Sequence, residues 1–440
     1  MNTSSFRWIS ICLMLSFVHC GPAFKLKKSR SDLNTMIKGS PVFNRHFTGF
    51  VLYDPASGET LSDHQGSRYF TPASNTKLLT LYTALNVLSD SLPSFKYYQS
   101  GEELIFKGMG DPTLVHPLWT EHAAFKMLRD AKTITWIKDQ LMDDSWGPGW
   151  AWDDYAEPYQ AEKSDLPLYG NVVRFKASGP KASYEVYPGY FQHKWTSKTI
   201  KKGDPKFSRL ISENEFGLAQ PDTAGAWNLP FRTDQQTIKN LLEDTLGHSI
   251  QSRWMGAVDR SNTWNIAYGV PVDSVYAEMM KTSDNFIAEQ LMLVCSAYLF
   301  DTLNTERMID YAKNQFFTKV PDTLYWEDGS GLSRYNLFTP RSVVDILVKI
   351  KNKLSWERIE KIFPAGGVSG TLKRWYPGVT QPYVFAKTGS LSNNHSLSGY
   401  LKTRSGRILI FSFMHSNYTG SVNPIRREMQ KTLEYIRDNF

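Results

Sequence analysis

Alternating apolar and polar residues predict a β-hairpin near the start of the chain. Phe47 to Tyr53 (FTGFVLY) has the composition of a strand, residues 54–58 (DPASG) supply a turn, and Ser67 to Phe70 is expected to end the returning strand. After Pro72, apolar residues recur at helical spacing from Ser74 to Val87. The first part of the fold is therefore expected to run strand, strand, helix.

The C-terminal part shows the same types of pattern in a related order. Leu397 to Lys402 and Ile408 to Met414 are strand-like, and a Ser405-Gly406 turn separates them. From Pro424 onward the apolar residues lie on one face of an amphipathic helix. The two ends together predict an α+β fold, in which an antiparallel sheet brings its first and last strands close together and is flanked by helices.

The middle of the chain, from about residue 91 to residue 262, is rich in Trp, Pro and Gly. Its clearest helix is predicted at Thr237 to Leu246, and Lys198 to Lys206 (KTIKKGDPK) resembles a loop. We interpret this region as an insertion that carries one or two small lobes of mixed strand and helix.

Length and composition limit the classes of protein that fit. A chain of 440 residues with 41% hydrophobic residues is long enough for two or three packed domains and is not typical of a disordered protein. The formal charge of +7 is compatible with contact to an anionic cell-wall or lipid surface, and equally with a plain solubilising excess. No dense basic helix or nucleic-acid module is present in the sequence, so nucleic acid is not an expected partner.

The first twenty residues resemble an export signal. Arg7 is followed by a short apolar run from Ile9 to Val18, which is too short to span a bilayer. Cys12 and Cys20 lie in or at the edge of this segment, and its removal would leave at most Cys20 and Cys295, so no disulfide framework is expected in the periplasm. Cys20 resembles a lipoprotein attachment cysteine, although His19 replaces the usual small residue. A lipid anchor at Cys20 is the only membrane attachment the sequence suggests.

Three short motifs carry the candidate chemistry, and they occur in the order S-x-x-K, S-D-N, K-T-G. They are Ser74-Asn75-Thr76-Lys77, Ser283-Asp284-Asn285 and Lys387-Thr388-Gly389. This set is the signature of β-lactamases and penicillin-binding proteins. A second S-x-x-K, Ser178-Gly179-Pro180-Lys181, contains Gly-Pro, which prevents the helical turn that would bring its serine and lysine together.

Each motif residue has a chemical reason for its assignment. Ser74 is the candidate nucleophile, and Lys77 is its candidate base, provided that burial and nearby cations favour the neutral amine. Lys387 is expected to be such a cation and to attract a substrate carboxylate. Ser283 is a candidate proton relay to the leaving amine, and Asn285 is a candidate hydrogen-bond partner of Lys77 or of the substrate amide.

The same segments suggest an oxyanion hole and a substrate-binding strand. The backbone N–H of Ser74, at a helix start, and that of Ser390, just after K-T-G, are the candidate donors to the oxyanion. Thr388 and Gly389 are assigned to substrate binding. Gly329 to Arg334 (GSGLSR) lacks the context of a phosphate loop, so we interpret it as structural support for the rim of the site.

The sequence resembles the class C low-molecular-mass penicillin-binding proteins, the D-Ala-D-Ala carboxypeptidase/endopeptidase family. The resemblance runs from residue 70 to residue 393, and its matching segments are FTPASNTKLLT, GMGDPTL, PGWAWDD, MKTSDNFIAEQL, EDGSGLSRYNLFTP, PAGGVSGTL and FAKTGSLSN. The resemblance is weak from about Lys176 to Thr223. It implies a penicillin-binding-protein/β-lactamase-like catalytic domain with two further domains inserted after the nucleophile helix.

The resemblance also implies domain boundaries and a further site residue. The catalytic domain is expected at residues 21–90 and 262–440, the second domain at 91–175 and 224–261, and the third at 176–223. Asp154, in PGWAWDD, matches the family's substrate-recognising acid. We expect it to pair with the free ammonium of a diamino acid, with Trp150 and Trp152 excluding water from the pair.

The implied activity is cleavage of peptidoglycan stem peptides ending in D-Ala-D-Ala, through an acyl-enzyme that β-lactams can also form. Cleavage of cross-bridges by the same site is expected as well. Two alternatives stay open at this point: a β-lactamase or esterase of the same fold, and a non-catalytic wall-binding protein. No metal-binding histidine spacing is present in the sequence, and no cofactor is expected.

Overall fold

The structure is a computed structural model that describes residues 22–138, 141–199, 201, 205–254 and 263–440. The predicted export signal, with Cys12 and Cys20, lies outside the described residues. Within them, no helix is both long enough and apolar enough to cross a membrane.

The described residues contain ten α-helices and sixteen strands, numbered in chain order. The helices are α1 (Pro22–Gly39), α2 (Lys77–Val87), α3 (Ala123–Asp130), α4 (Gln235–Leu246), α5 (Val272–Thr282), α6 (Asn285–Phe300), α7 (Thr305–Gln315), α8 (Pro340–Lys353), α9 (Trp356–Ile362) and α10 (Asn423–Asn439). The strands are β1 (Phe47–Asp54), β2 (Glu59–His64), β3 (Ser91–Ser100), β4 (Glu103–Gly108), β5 (Thr133–Lys138), β6 (Val172–Ala177), β7 (Glu185–Tyr187), β8 (Trp195–Lys198), β9 (Phe207–Arg209), β10 (Phe216–Ala219), β11 (Gly225–Pro230), β12 (Gln251–Trp254), β13 (Asn265–Pro271), β14 (Val384–Leu391), β15 (Asn394–Lys402) and β16 (Ile408–Ser416).

The predicted α+β plan is confirmed by the main sheet. Its five strands are ordered β14-β15-β16-β1-β2, and every neighbouring pair is antiparallel. The first strand, β1, pairs with the last, β16, from Phe47 opposite Ser416 to Tyr53 opposite Ile410. This pairing joins the two ends of the sequence, and it leaves β14 as an edge strand.

Helices cover both faces of this sheet, as the hydrophobic periodicity predicts. On one face, α1 and α10 pack through Leu33, Ile37, Met429 and Leu433. On the other face, α8 contacts β1 and β16, and α2 and α6 pack behind it in a second apolar cluster. The nucleophile segment enters α2, so its position is set by the largest core of the molecule.

The predicted end of the returning strand was wrong. Strand β2 stops at His64, because Gln65 adopts a left-handed backbone conformation and the Asp63 carboxylate accepts the N–H of Gly66. Phe70 instead forms an isolated antiparallel bridge with Phe338, in which each N–H donates to the other's carbonyl at 2.9 and 3.0 Å. The segment before the nucleophile is thus held by a distant loop rather than by β1.

The inserted region contains three further sheets. A mixed sheet has the order β12-β5-β4-β3-β13, and two small sheets have the orders β11-β6-β7 and β8-β10-β9. One apolar cluster runs through all three of these sheets, from Phe95 in β3 to Phe175 in β6 and Phe216 in β10. The inserted lobes therefore share a core that is distinct from the cores of the main sheet.

The three-domain division remains a prediction, but two strand pairings bear on its boundaries. Strand β6 pairs with β11 from Val172 opposite Pro230 to Ala177 opposite Gly225, so the small sheets extend beyond residues 176–223. Strand β13 pairs with β3, so residues 265–271 join the mixed sheet rather than the main one. Sequence periodicity identifies strands but not their partners, so these pairings could not be predicted from the sequence.

Candidate active site

Ser74 lies in a single 3-10 turn, Ala73–Thr76, that leads directly into α2. The Thr76 hydroxyl donates to the Ala73 carbonyl at 2.9 Å, and the Asn75 N–H donates to the Pro72 carbonyl at 3.2 Å. Ala73 has a φ of 49°, a left-handed conformation that is uncommon for a residue with a Cβ. The turn places Ser74 and Lys77 on the same side, as the first S-x-x-K motif predicts.

Lys77 is completely buried and makes three hydrogen bonds through its amine. Its Nζ lies 3.0 Å from Ser74 Oγ, 2.6 Å from Asn285 Oδ1 and 2.7 Å from the Ser330 carbonyl. Burial lowers the pKa of Lys77 to about 8, although nearby carboxylates act in the opposite direction. A lysine in this state can release its proton near neutral pH and accept one from the serine.

The S-D-N motif occupies the junction between α5 and α6. Ser283 ends α5 in a left-handed conformation, and Asp284 caps α6 by accepting the N–H of Ile287 at 2.8 Å. Asn285 is thus the first residue of α6, where its amide oxygen faces Lys77 and its Nδ2 donates to the Tyr159 carbonyl. The motif residues are held by two helix ends rather than by a loop turn.

Lys387 extends from the edge strand β14 toward the same centre. Its amine donates to Ser283 Oγ at 2.7 Å and to the Thr388 carbonyl at 2.8 Å. Burial, and secondarily the charge of Lys77, lower the pKa of Lys387 well below its ordinary value. A positive charge on one lysine therefore disfavours a positive charge on the other.

Gly389 is required where β14 passes the nucleophile turn. A Cβ at this position would lie 2.4 Å from the Pro72 carbonyl oxygen and 3.1 Å from the Ser74 nitrogen. Any side chain here would push the strand away from Ser74. Asn75 adds to the contact by donating its Nδ2 to the Lys387 carbonyl at 3.0 Å.

The free edge of β14 provides backbone donors beside Ser74. The Ala386 N–H points off this edge, because it donates to the Pro364 carbonyl at 3.1 Å. Successive residues of a strand alternate in direction, so the N–H groups of Thr388 and Ser390 are expected to point the same way. Ser390 also has its hydroxyl 2.9 Å from the buried His395 Nδ1, which holds this end of the strand.

A cavity of about 430 Å³ connects these groups with the inserted lobe. Its lining residues are Ser74, Asp154, Tyr159, Ser283, Asn285, Gly331, Leu332, Arg334, Ser390, Leu391 and Ser392. Of the predicted site residues, Lys77, Lys387, Thr388 and Gly389 are not among the lining residues. The cavity has the concave shape and the convergent polar groups of an active site.

A sequence profile of the D-Ala-D-Ala carboxypeptidase 3 (S13) family matches residues 29–438 of the chain. The chain belongs to this family. It is therefore a serine-type peptidase, and the resemblance on the three motifs is confirmed.

Two curated relatives are 25% and 28% identical to the chain over most of its length. It is 25% identical over 456 residues to a D-alanyl-D-alanine carboxypeptidase of Actinomadura sp., covering 90% of this chain and 82% of the relative. It is 28% identical over 432 residues to D-alanyl-D-alanine carboxypeptidase DacB of Haemophilus influenzae, covering 85% and 86%. The structure of penicillin-binding protein 4 from H. influenzae superposes with a TM-score of 0.72 at 19% identity, covering 93% and 99%, and confirms the fold.

Asp154 lines the same cavity as Ser74, but its surroundings differ from those expected. Trp152 is 77% exposed, which does not fit its expected role as a shield for Asp154, and the Trp150 indole donates to Asp328 at 2.9 Å. Instead, the Tyr159 hydroxyl hydrogen-bonds Asp154, and burial together with that carboxylate raises the pKa of Tyr159. No sequence pattern pointed to Tyr159, because it belongs to no motif and lies in a short 3-10 helix, Pro158–Gln160.

Sequence reasoning also missed the Ser330 carbonyl, which accepts from Lys77. The GSGLSR turn was interpreted as rim support, and its glycines were the available signal, since a Cβ on Gly331 would lie 1.9 Å from the Ala73 carbonyl. In the part of the chain described, no group of three or more His, Cys, Asp or Glu side chains is placed to hold a metal ion.

Proposed function

We propose that this S13 peptidase is a serine-type D-Ala-D-Ala carboxypeptidase that also cleaves peptidoglycan cross-bridges. The observation that carries the proposal is the 3.0 Å contact between Ser74 Oγ and the buried amine of Lys77. A non-catalytic wall-binding protein would have no use for a desolvated base beside a serine hydroxyl.

In the acylation step, neutral Lys77 takes the hydroxyl proton of Ser74, and Oγ attacks the carbonyl between the last two D-alanines. The backbone N–H groups of Ser74 and Ser390 stabilise the oxyanion that forms. The C–N bond then breaks, and the leaving D-alanine amine receives a proton from Lys77 through Ser283. A water molecule later attacks the acyl-enzyme, with Lys77 again acting as base.

Lys387 and Thr388 bind the terminal carboxylate of the substrate in this mechanism. Arrival of a carboxylate favours the charged form of Lys387, whose pKa is otherwise depressed by burial. A charged Lys387 in turn disfavours the ammonium form of Lys77, because two positive charges would then lie in one site. Substrate binding therefore converts the lysine pair into the form that catalysis needs, a cation on β14 and a free base on α2.

Asp154 recognises the free ammonium of the stem peptide's diamino acid. It lies in the same cavity as Ser74, and Tyr159 orients its carboxylate. The scissile bond and the ammonium lie at different points of one peptide, so the catalytic domain and the inserted lobe each bind one of them. Cross-linked peptidoglycan lies outside the cytoplasm, and we place the enzyme in the periplasm. Attachment through Cys20 is a proposal that rests on the predicted export signal.

Intact-protein mass spectrometry with a penicillin tests this function directly. We expect one penicillin per chain with a long-lived adduct, no adduct on the Ser74→Ala variant, and a normal adduct on the Ser178→Ala variant. The wild type should also release D-alanine from a pentapeptide. An adduct that survives Ser74→Ala contradicts the proposed nucleophile, and rapid turnover of the penicillin without D-alanine release indicates a β-lactamase instead.

A further inference from the structure

A buried carboxylate lies on the far side of the loop that holds Lys77. Glu289 is in the second turn of α6, one helical turn beyond Asn285, and it is only 1% exposed. Its two oxygens accept the N–H of Ser330 at 2.7 Å and the N–H of Gly329 at 3.1 Å. We call residues 328–333 the active-site strap, because they run between Glu289 on one side and the nucleophile turn on the other.

The strap has little freedom on its inner side. The Ser330 carbonyl accepts from Lys77 Nζ at 2.7 Å, and Gly331 lies against the Ala73 carbonyl, with no room for a Cβ. The amide that joins Gly329 to Ser330 belongs to the same backbone as this carbonyl. Any shift of the Glu289 anchor is therefore transmitted over one residue to the acceptor that orients the base.

We propose that Glu289 is a positioning residue for Lys77, acting through the strap, an inference that rests on the proposed function of Lys77 as the base. Glu289 is absent from the lining of the Ser74 cavity and instead lines a separate cavity of about 610 Å³ behind the strap. It does not touch the substrate. Its carboxylate fixes the position of the Ser330 carbonyl. That carbonyl, by accepting a hydrogen bond, directs the Lys77 amine toward Ser74 Oγ.

Several charged groups lie near Glu289, and a substitution at this position changes their interactions. Asp328 and Lys163 face it from the strap and from the inserted region, Lys77 faces it from α2, and Lys163 is itself paired with Asp143 at 2.7 Å. Burial, and after it Asp328, raise the pKa of Glu289, whereas Lys163 lowers it. The Glu289 charge also helps to keep a proton on Lys77.

Glu289→Gln separates positioning from a merely structural role. An amide has one acceptor oxygen, so it can accept only one of the two strap N–H groups, and its own NH₂ would face the other. We expect the penicillin acylation rate to fall about 10- to 100-fold at pH 9.5, where Lys77 is neutral in both proteins. The acid limb of the rate profile should also move to lower pH, because a charge that favours the Lys77 ammonium is lost.

Two further variants complete the experiment. Glu289→Asp keeps the charge but shortens the side chain by one methylene, so we expect a smaller loss of rate and an acid limb at the wild-type pH. Ser296→Ala is the matched control, since Ser296 lies buried two turns further along α6 and accepts the Asn304 N–H at 3.2 Å. It should lower the melting temperature without changing either the rate at pH 9.5 or the acid limb.

The inference is overturned if Glu289→Gln is acylated at pH 9.5 within twofold of the wild type, whatever its melting temperature. If that variant does not fold, a wild-type rate for Glu289→Asp at pH 9.5 overturns it equally. Failure of the wild type itself to form the Ser74 adduct is a different result, which contradicts the proposed function and not the role of Glu289.

Discussion

The chain contains the pattern S-x-x-K twice, and the two copies have very different surroundings. At Ser74 the motif forms a 3-10 turn and the first turn of α2, and its lysine is buried with three hydrogen-bond partners. At Ser178 the motif follows the end of β6 in an inserted lobe, and both Ser178 and Lys181 are exposed. The same four-residue pattern thus gives a desolvated serine–lysine pair in one place and a solvated turn in the other.

The reactivity of a serine–lysine pair therefore depends on the residues around the motif. Gly179 and Pro180 exclude a helix, so Ser178 and Lys181 have no shared helical face. Ser74 and Lys77 have one, and burial then lowers the Lys77 pKa to about 8. Desolvation, and not the presence of a lysine, makes the amine a base at physiological pH.

The largest effect on the acylation rate is expected from substituting the lysine of each S-x-x-K copy in turn. Lys77→Arg keeps a positive charge, but a guanidinium does not give up its proton, so acylation by penicillin should slow by about 10²- to 10⁴-fold. Lys181→Arg should leave the rate unchanged. The rate constant for adduct formation measures both, with melting temperature as the check on folding. A Lys77→Arg rate close to that of the wild type would require another group to be the base.

The nucleophile, the base and their motif partners could be predicted because each belongs to a short contiguous pattern. In the structure the Lys77 amine contacts Ser74 and Asn285, and the Lys387 amine contacts Ser283. Ser74, Ser283 and Asn285 line the same cavity. Their roles in catalysis stay proposals for the experiments above. Proximity of such distant segments follows from the β1–β16 pairing and from α6 packing on α2, and the apolar periodicity of those elements was visible in the sequence.

The other contacts of the site correspond to no pattern in the sequence. Ser330 contributes a backbone carbonyl, which any residue possesses, and Glu289 contributes a buried acid in an apolar helix, which sequence alone does not distinguish from an exposed one. Tyr159 and Asp154 line the same cavity, and no motif in the sequence connects them. The pairing of β13 with β3 could not be predicted for a related reason, since the two strands lie far apart in the sequence.

The pH dependence of acylation gives the next largest effect. Burial disfavours the ammonium form of Lys77, so half of the amine should be the neutral base at about pH 8 rather than above pH 10. The acylation rate should therefore rise about tenfold per pH unit well below 8, by about 50-fold from pH 6 to pH 8, and level off above pH 9. A stopped-flow or quenched time course across this range measures it. A rate that continues to climb up to pH 10 would mean that burial does not disfavour the Lys77 ammonium.

The smallest expected effect concerns a residue of the inserted region that, unlike Ser178, reaches the cavity. Asp154→Asn removes the charge that would pair with the ammonium of a diamino acid, while the Asn side chain can still accept a hydrogen bond from Tyr159. We expect turnover of a peptide carrying diaminopimelate to fall about 5- to 150-fold, the range for loss of a partly desolvated ion pair worth about 1–3 kcal/mol.

The matched control for this substitution is Asp153→Asn, because Asp153 is exposed and is absent from the cavity lining. It should not change turnover. A peptide whose side-chain amine is blocked should be cleaved by Asp154→Asn about as fast as by the wild type, since its ammonium is already gone, and acylation by penicillin should also be unchanged. Equal losses on the free and the blocked peptide would instead assign Asp154 to the folding of the cavity wall, where Tyr159 is its partner. The inserted lobe would then shape the site without selecting the substrate.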